Sequence, residues 1–336
     1  MNIRLLSLGM ILGLLGFASP LRADDKPASK PKAAAENAKD GTEAEKEKKP
    51  LPDYIRFKDD EKSARLEIAI KTFKLPSGAL VDLIGVVHIA DAAYYADLNK
   101  RFDSYDAVLF ELVGDPRAVT DKEEAQAERE GKGGGGAIRW IQTTAGKFLK
   151  LSFQLGQIDY TKPNMVHADA SAEEFAKMQE ERGESMLKLF IRAMKAQMSG
   201  DLSGLPVDEL DTFGLIRILM SKDSAAEFKI VLAKMFDQAE SMTKILEGDE
   251  GSAILTGRNE VVMKKIKEVL RDKSKKRISV FYGAAHMPGI EGMLLKDMKA
   301  APAGEEWLAG WTMPHDPPAK KEEKKDGEKK EEEKKP

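Results

Sequence analysis

Two short segments of this chain of 336 residues share one form, Gly85-Val86-Val87-His88 and Gly283-Ala284-Ala285-His286. Each closes an apolar run that reads as a buried strand, and a helical pattern starts just after each. Ligands of open α/β sheets bind at the carboxyl ends of the strands, which is where both imidazoles fall. Glu111 stands in a third such run, Val108-Leu109-Phe110-Glu111-Leu112-Val113. A carboxylate there is costly to bury unless it is paired or bound to a metal. Two histidines and one carboxylate with open positions form a typical first shell for a divalent ion. The plainer alternative makes each histidine a helix cap or a hydrogen-bonded core group.

Composition narrows the chemistry further. Cysteine is absent, which removes disulfides, thiolate metal sites, iron–sulfur clusters and cysteine nucleophiles. A net charge of -3 argues against nucleic-acid binding through a broad basic surface. The core holds no Gly-x-Ser-x-Gly elbow for serine hydrolysis and no His-Glu-x-x-His pair.

The elements that must position these residues follow from periodicity. Ala64 to Lys74 alternates, Pro76-Ser77-Gly78 supplies a turn, and Ala79 to Val87 is nearly all apolar, a β-hairpin leading into a buried strand. A helical pattern from Asp91 to Phe102 and the strand-like run Ala107 to Val113 then complete a parallel, right-handed βαβ unit. That unit predicts that the strands carrying His88 and Glu111 are neighbours. Met165 to Asp169 reads as a short strand before a helix near Ser171, and the pattern stays helical to about Gly248. Glu260 to Leu270 is a further helix, Arg277 to Tyr282 a strand, and Trp307 to Met313 a closing edge strand. The fold class is α/β: a mixed sheet from the N- and C-terminal parts of the core, with an inserted helical subdomain at about 170–250 covering the site. Gly131 to Gly136 reads as a flexible loop.

Outside the core, residues 53–315, the composition changes. Leu5 to Phe17 is an apolar run behind Arg4, shorter than the roughly 20 residues of a membrane span and suited to a signal peptide. Leu21-Arg22-Ala23 resembles a cleavage site, so the chain is expected to be exported, periplasmic or extracellular, without a stable membrane span after cleavage. Residues 24–52 and 316–336 are rich in charge and poor in large apolar side chains, the composition of disorder.

Ile84-Gly85-Val86-Val87-His88-Ile89-Ala90 and Val108-Leu109-Phe110-Glu111-Leu112 resemble the opening motifs of the TraB/Tiki family, also called TraB/PrgY/GumN. Gly257-Arg258-Asn259-Glu260-Val261-Val262-Met263 is similar to its Arg-Asn-x-x-x-Met helix, and Ile278 to Gly289 to its second Gly-x-x-His segment. The family is grouped with erythromycin-esterase-like and ChaN-like proteins, and some animal members are described as metalloproteases using Mn or Co. The resemblance implies that His88, Glu111 and His286 are the metal and catalytic residues, with Arg258 and Asn259 as accessories in the active site. The expected cofactor is a divalent metal (Mn, Co or Zn), and the expected substrate a peptide or other small molecule. In the rival reading the protein sequesters a peptide or haem without catalysis. Val86 departs from the family pattern, in which many members carry Thr. Around this set, Asp169 either orients a ligand histidine or belongs to a helix N-cap region, and His167 reaches the same rim. Arg117 binds a substrate carboxylate or forms a surface ion pair, and Tyr282 completes the candidates. The h-region predicts a mature N-terminus near Asp24. Intact-mass measurement of protein from its native host checks this, and a mass retaining Met1 to Ala23 would mean an anchored chain.

Overall fold

The computed structural model describes residues 53–123, 149–184, 212–221, 223–237 and 251–315, together with Lys188, Thr243 and Glu247. The expectations for the two ends and for Gly131 to Gly136 lie outside the described residues.

Strand β1 (Ile55–Asp59) pairs antiparallel with β2 (Ser63–Lys74), and β2 turns back into β3 (Leu80–Val86). The period-two pattern of β2 buries Leu66, Ile68 and Ile70. Gly78 takes φ +85° in the hairpin turn, a conformation that favours glycine. β1 occupies Ala64–Ile68 and β3 occupies Ile70–Lys74, so the two share one edge of β2. The last strand, β9 (Ala301–Pro314), runs antiparallel along β2 from Ser63 to Lys74. It is longer than the Trp307 to Met313 segment legible from the sequence, because its first half, Ala301–Glu306, is exposed and carries no apolar stripe.

After β3 come a two-residue strand β4 (Ile89–Ala90) and helix α1 (Ala92–Phe102), then β5 (Ala107–Phe110). β4 pairs with β6 (Ser152–Phe153), and β7 (Met165–His167) pairs parallel with β5. Helices α2 (Ala172–Glu181), α3 (Thr212–Leu219), α4 (Ser224–Asp237) and α5 (Arg258–Val269) follow; strand β8 (Arg277–Gly283) and helix α6 (Met287–Asp297) precede β9.

β8 inserts between β3 and β5, parallel to both. This corrects the expectation that the His88 and Glu111 strands are neighbours. Periodicity identifies a βαβ unit but not which strand pairs with which. β8 takes the central place because Ile278, Val280, Phe281 and Tyr282 are all fully buried there, as suits a parallel strand covered on both faces. Phe102 of α1 meets Phe281 edge-on at 5.1 Å. α5 packs against α6 and β5, and α6 against β3. α4 lies against the antiparallel strands β1, β2 and β9. Its Phe236 meets Trp311 at 5.4 Å, and its Lys229 Nζ stands 3.2 Å from Asp91 Oδ1.

The Phe102–Phe281 contact ties α1 to the centre of the sheet. Phe102→Ala is expected to lower stability by about 3–5 kcal/mol, read from the denaturant midpoint with an unchanged slope.

Candidate functional site

The site forms where β3, β8 and β5 end side by side. His88 lies just beyond β3. Tyr94 and Tyr95 of α1 fix that segment by donating their hydroxyls to the carbonyls of Gly85 (3.0 Å) and Val87 (2.9 Å). Gln154 then holds the histidine twice. Its N–H donates to the His88 carbonyl at 3.0 Å, and its Oε1 stands 2.8 Å from His88 Nδ1. Gln154 Nε2 donates to the Tyr160 hydroxyl at 2.8 Å, so its carbonyl oxygen faces the ring. An oxygen acceptor at Nδ1 requires the proton there, so in the neutral ring Nε2 of the half-buried His88 is the acceptor.

The second Gly-x-x-His behaves differently. β8 ends in Gly283 and tightens at once into a 3-10 turn, Ala284–His286, which buries the His286 side chain. His286 Nδ1 lies 2.7 Å from Asn259 Oδ1, and Asn259 Nδ2 donates to the His286 carbonyl at 3.4 Å. That second bond fixes the amide orientation, so His286 also carries its proton on Nδ1. Tyr282 meets the His286 ring edge-on at 5.3 Å and donates its hydroxyl to the Ala168 carbonyl at 2.5 Å.

Glu111 follows β5, and its Oε2 accepts the Gly283 N–H at 2.5 Å. Gly283 is the point of convergence. A Cβ there would stand 3.2 Å from Glu111 Oε2, 3.5 Å from His88 Nε2 and 3.7 Å from His286 Cδ2. The histidines and the glutamate thus meet over one glycine, and a side chain at that position would fill the space they share.

Arg258 starts α5 behind this cluster, after a π-helical turn, Ala253–Gly257, of the kind often found at functional sites. Its Nη2 donates to Glu111 Oε1 at 2.5 Å. Nε and Nη2 also donate to Asp169 Oδ1 (2.9 Å) and Oδ2 (2.5 Å). Nη1 lies 3.3 Å from His286 Nε2, and that nitrogen is 3.6 Å from Glu111 Oε1. Burial alone would raise the Glu111 carboxyl, but Arg258, then His286 and His88, outweigh it and hold the group well below the usual carboxylate range. Burial likewise opposes the charge on Arg258, and Glu111 and Asp169 overcome it, so the guanidinium stays ionised. The His286 imidazole is pushed down to about 3 by burial, against the pull of Glu111. It is neutral at physiological pH.

His88, Glu111 and His286 have donor atoms of the right kind for a divalent ion. Among the described residues no group of three His, Asp or Glu is placed so that it could hold an ion. Arg258 stands against both Glu111 Oε1 and His286 Nε2.

The remaining candidates divide. Asp169 joins the cluster through Arg258; the N-cap of α2 is Ser171, which forms a capping box with Glu174. Asn259 and Tyr282 contact His286 as described. His167 instead turns its Nε2 to the Leu112 carbonyl (2.7 Å) and its ring to Phe110, outside the cluster. Arg117 is exposed and grips Asp115 two residues earlier, so the surface ion pair is the alternative the structure supports. Gln154 and Tyr160 were not legible as site residues. The only sequence signal is a polar side chain within Leu151-Ser152-Phe153-Gln154-Leu155, a stretch otherwise largely apolar.

The sequence matches the model of the TraB/PrgY/gumN family over residues 73–300. The chain belongs to that family. Comparison with curated proteins gives no match. Among the described residues no helix is long and apolar enough to cross a membrane.

Gly289 explains part of the second motif. A Cβ there would stand 2.5 Å from Asn259 Nδ2, whereas one on Gly292 of the same helix meets nothing within 4 Å. Gly289→Ala must push the amide off His286 and is expected to cost about 1–3 kcal/mol. Gly292→Ala should be neutral or stabilising by up to about 1 kcal/mol. Thermal unfolding of the two variants side by side checks this, and equal effects would contradict it.

Proposed function

We propose that this chain is an exported hydrolase acting on peptides, with the cluster over Gly283 as its active site. The observation that carries the reading is His88: half-buried, its Nδ1 held by Gln154, and its Nε2 turned to the same glycine as Glu111. In this reading Nε2 takes a proton from water as its oxygen attacks the substrate carbonyl, then returns the proton to the leaving nitrogen. The Arg258 guanidinium faces the negative charge that develops on the carbonyl oxygen. Glu111 holds Arg258 and the Gly283 N–H in place, and neutral His286 closes the inner wall. Export is supported by the apolar run Leu5 to Phe17.

The test is cleavage of an internally quenched peptide library by the purified chain. His88→Ala should lower turnover by about 10²–10⁴-fold with an unchanged melting temperature. Saturable binding of peptides without any cleavage would favour sequestration instead.

A further inference from the structure

The geometry points to Arg258 as the resident cation of this site: its guanidinium and a divalent metal ion are mutually exclusive occupants of the space between Glu111 and His286. The inference goes beyond the hydrolytic reading and does not depend on it, because its readout is ion binding.

Glu111 Oε1 and His286 Nε2 are 3.6 Å apart, a separation that one ion at about 2.0–2.2 Å from each would produce. Arg258 already reaches both atoms, with Nη2 at 2.5 Å from the oxygen and Nη1 at 3.3 Å from the nitrogen.

Two further donations bind the guanidinium to Asp169, whose Oδ1 also accepts the Ala170 N–H at 2.8 Å. The Asp169 side chain is fully buried, and that of Arg258 is 6% exposed. Swinging Arg258 aside to admit an ion would leave a buried carboxylate unpaired, which is strongly unfavourable.

An ion left beside the guanidinium would place two like charges a few ångströms apart in a buried setting, where water screens them little. Yet both imidazoles turn Nε2 to this side, their Nδ1 atoms held by Gln154 and Asn259 in the manner of metal-ligand histidines. The donor atoms are therefore of the kind an ion takes, and the arginine stands between them.

The experiment is calorimetric titration of the full chain with manganese chloride and, separately, zinc chloride. Binding is assigned to the site only where His286→Ala removes it. The wild-type chain should show no His286-dependent binding, and its melting temperature should be the same with and without EDTA. Asp169→Asn combined with Arg258→Gln removes the guanidinium and keeps Asp169 from being left as a lone charge. That variant should gain one His286-dependent site, at least about 100-fold tighter than any in the wild type, the scale expected from removing a positive charge next to a dication. If circular dichroism shows it unfolded, Asp169→Asn with Arg258→Met replaces it, with the same expectation. His286-dependent binding of either ion by the wild-type chain would overturn the inference. So would a folded variant that binds no more tightly than the wild type.

Discussion

A single buried guanidinium shared between two carboxylates organises this end of the molecule. Arg258 begins α5, Glu111 follows β5 and Asp169 follows β7, so the ion pairs join three elements that are distant in sequence. Buried charges are tolerated only when paired and hydrogen-bonded, and removing one partner of such a pair costs about 3–5 kcal/mol. The arrangement therefore fixes the position of α5 against the ends of the sheet. α5 in turn carries Asn259, which sets the proton position on His286.

The two Gly-x-x-His segments have one sequence form and two physical environments. After Gly85 the strand runs one residue further and the chain bends at His88, which two tyrosine hydroxyls and Gln154 hold at a half-buried position. After Gly283 it tightens immediately, and His286 is buried and kept neutral. One imidazole can meet solvent and the other cannot. Glycine at 283 serves both, because its missing side chain is the space over which the cluster meets.

Local pattern made much of this legible. The alternation of Leu66, Ile68 and Ile70 located β2, and the apolar run Ile278 to Tyr282 located β8. His88, Glu111 and His286 were found from motif form and strand position and Arg258 from the family resemblance; the first three lie around Gly283, with Arg258 against Glu111 and His286. Adjacency was not legible: nothing in a βαβ pattern says that β8, from more than a hundred residues downstream, inserts between β3 and β5. The partner of Glu111 was also hidden. A strand-end carboxylate beside two histidines suggests a metal, and only the folded chain shows an arginine reaching the same oxygen. Gln154 has no motif at all, since its role comes from the place where the backbone returns to His88. Arg117 was ambiguous because a loop arginine next to an aspartate fits both readings.

Glu111 and Arg258 act as one buried, mutually dependent pair. A double-mutant cycle on stability measures this dependence directly, using Glu111→Gln, Arg258→Gln and their combination, each followed by chemical denaturation. Each single change should leave a buried charge without its main partner, and the double variant should be destabilised by much less than the sum, with a coupling energy of at least about 2 kcal/mol. Additive effects, within about 0.5 kcal/mol, would contradict it.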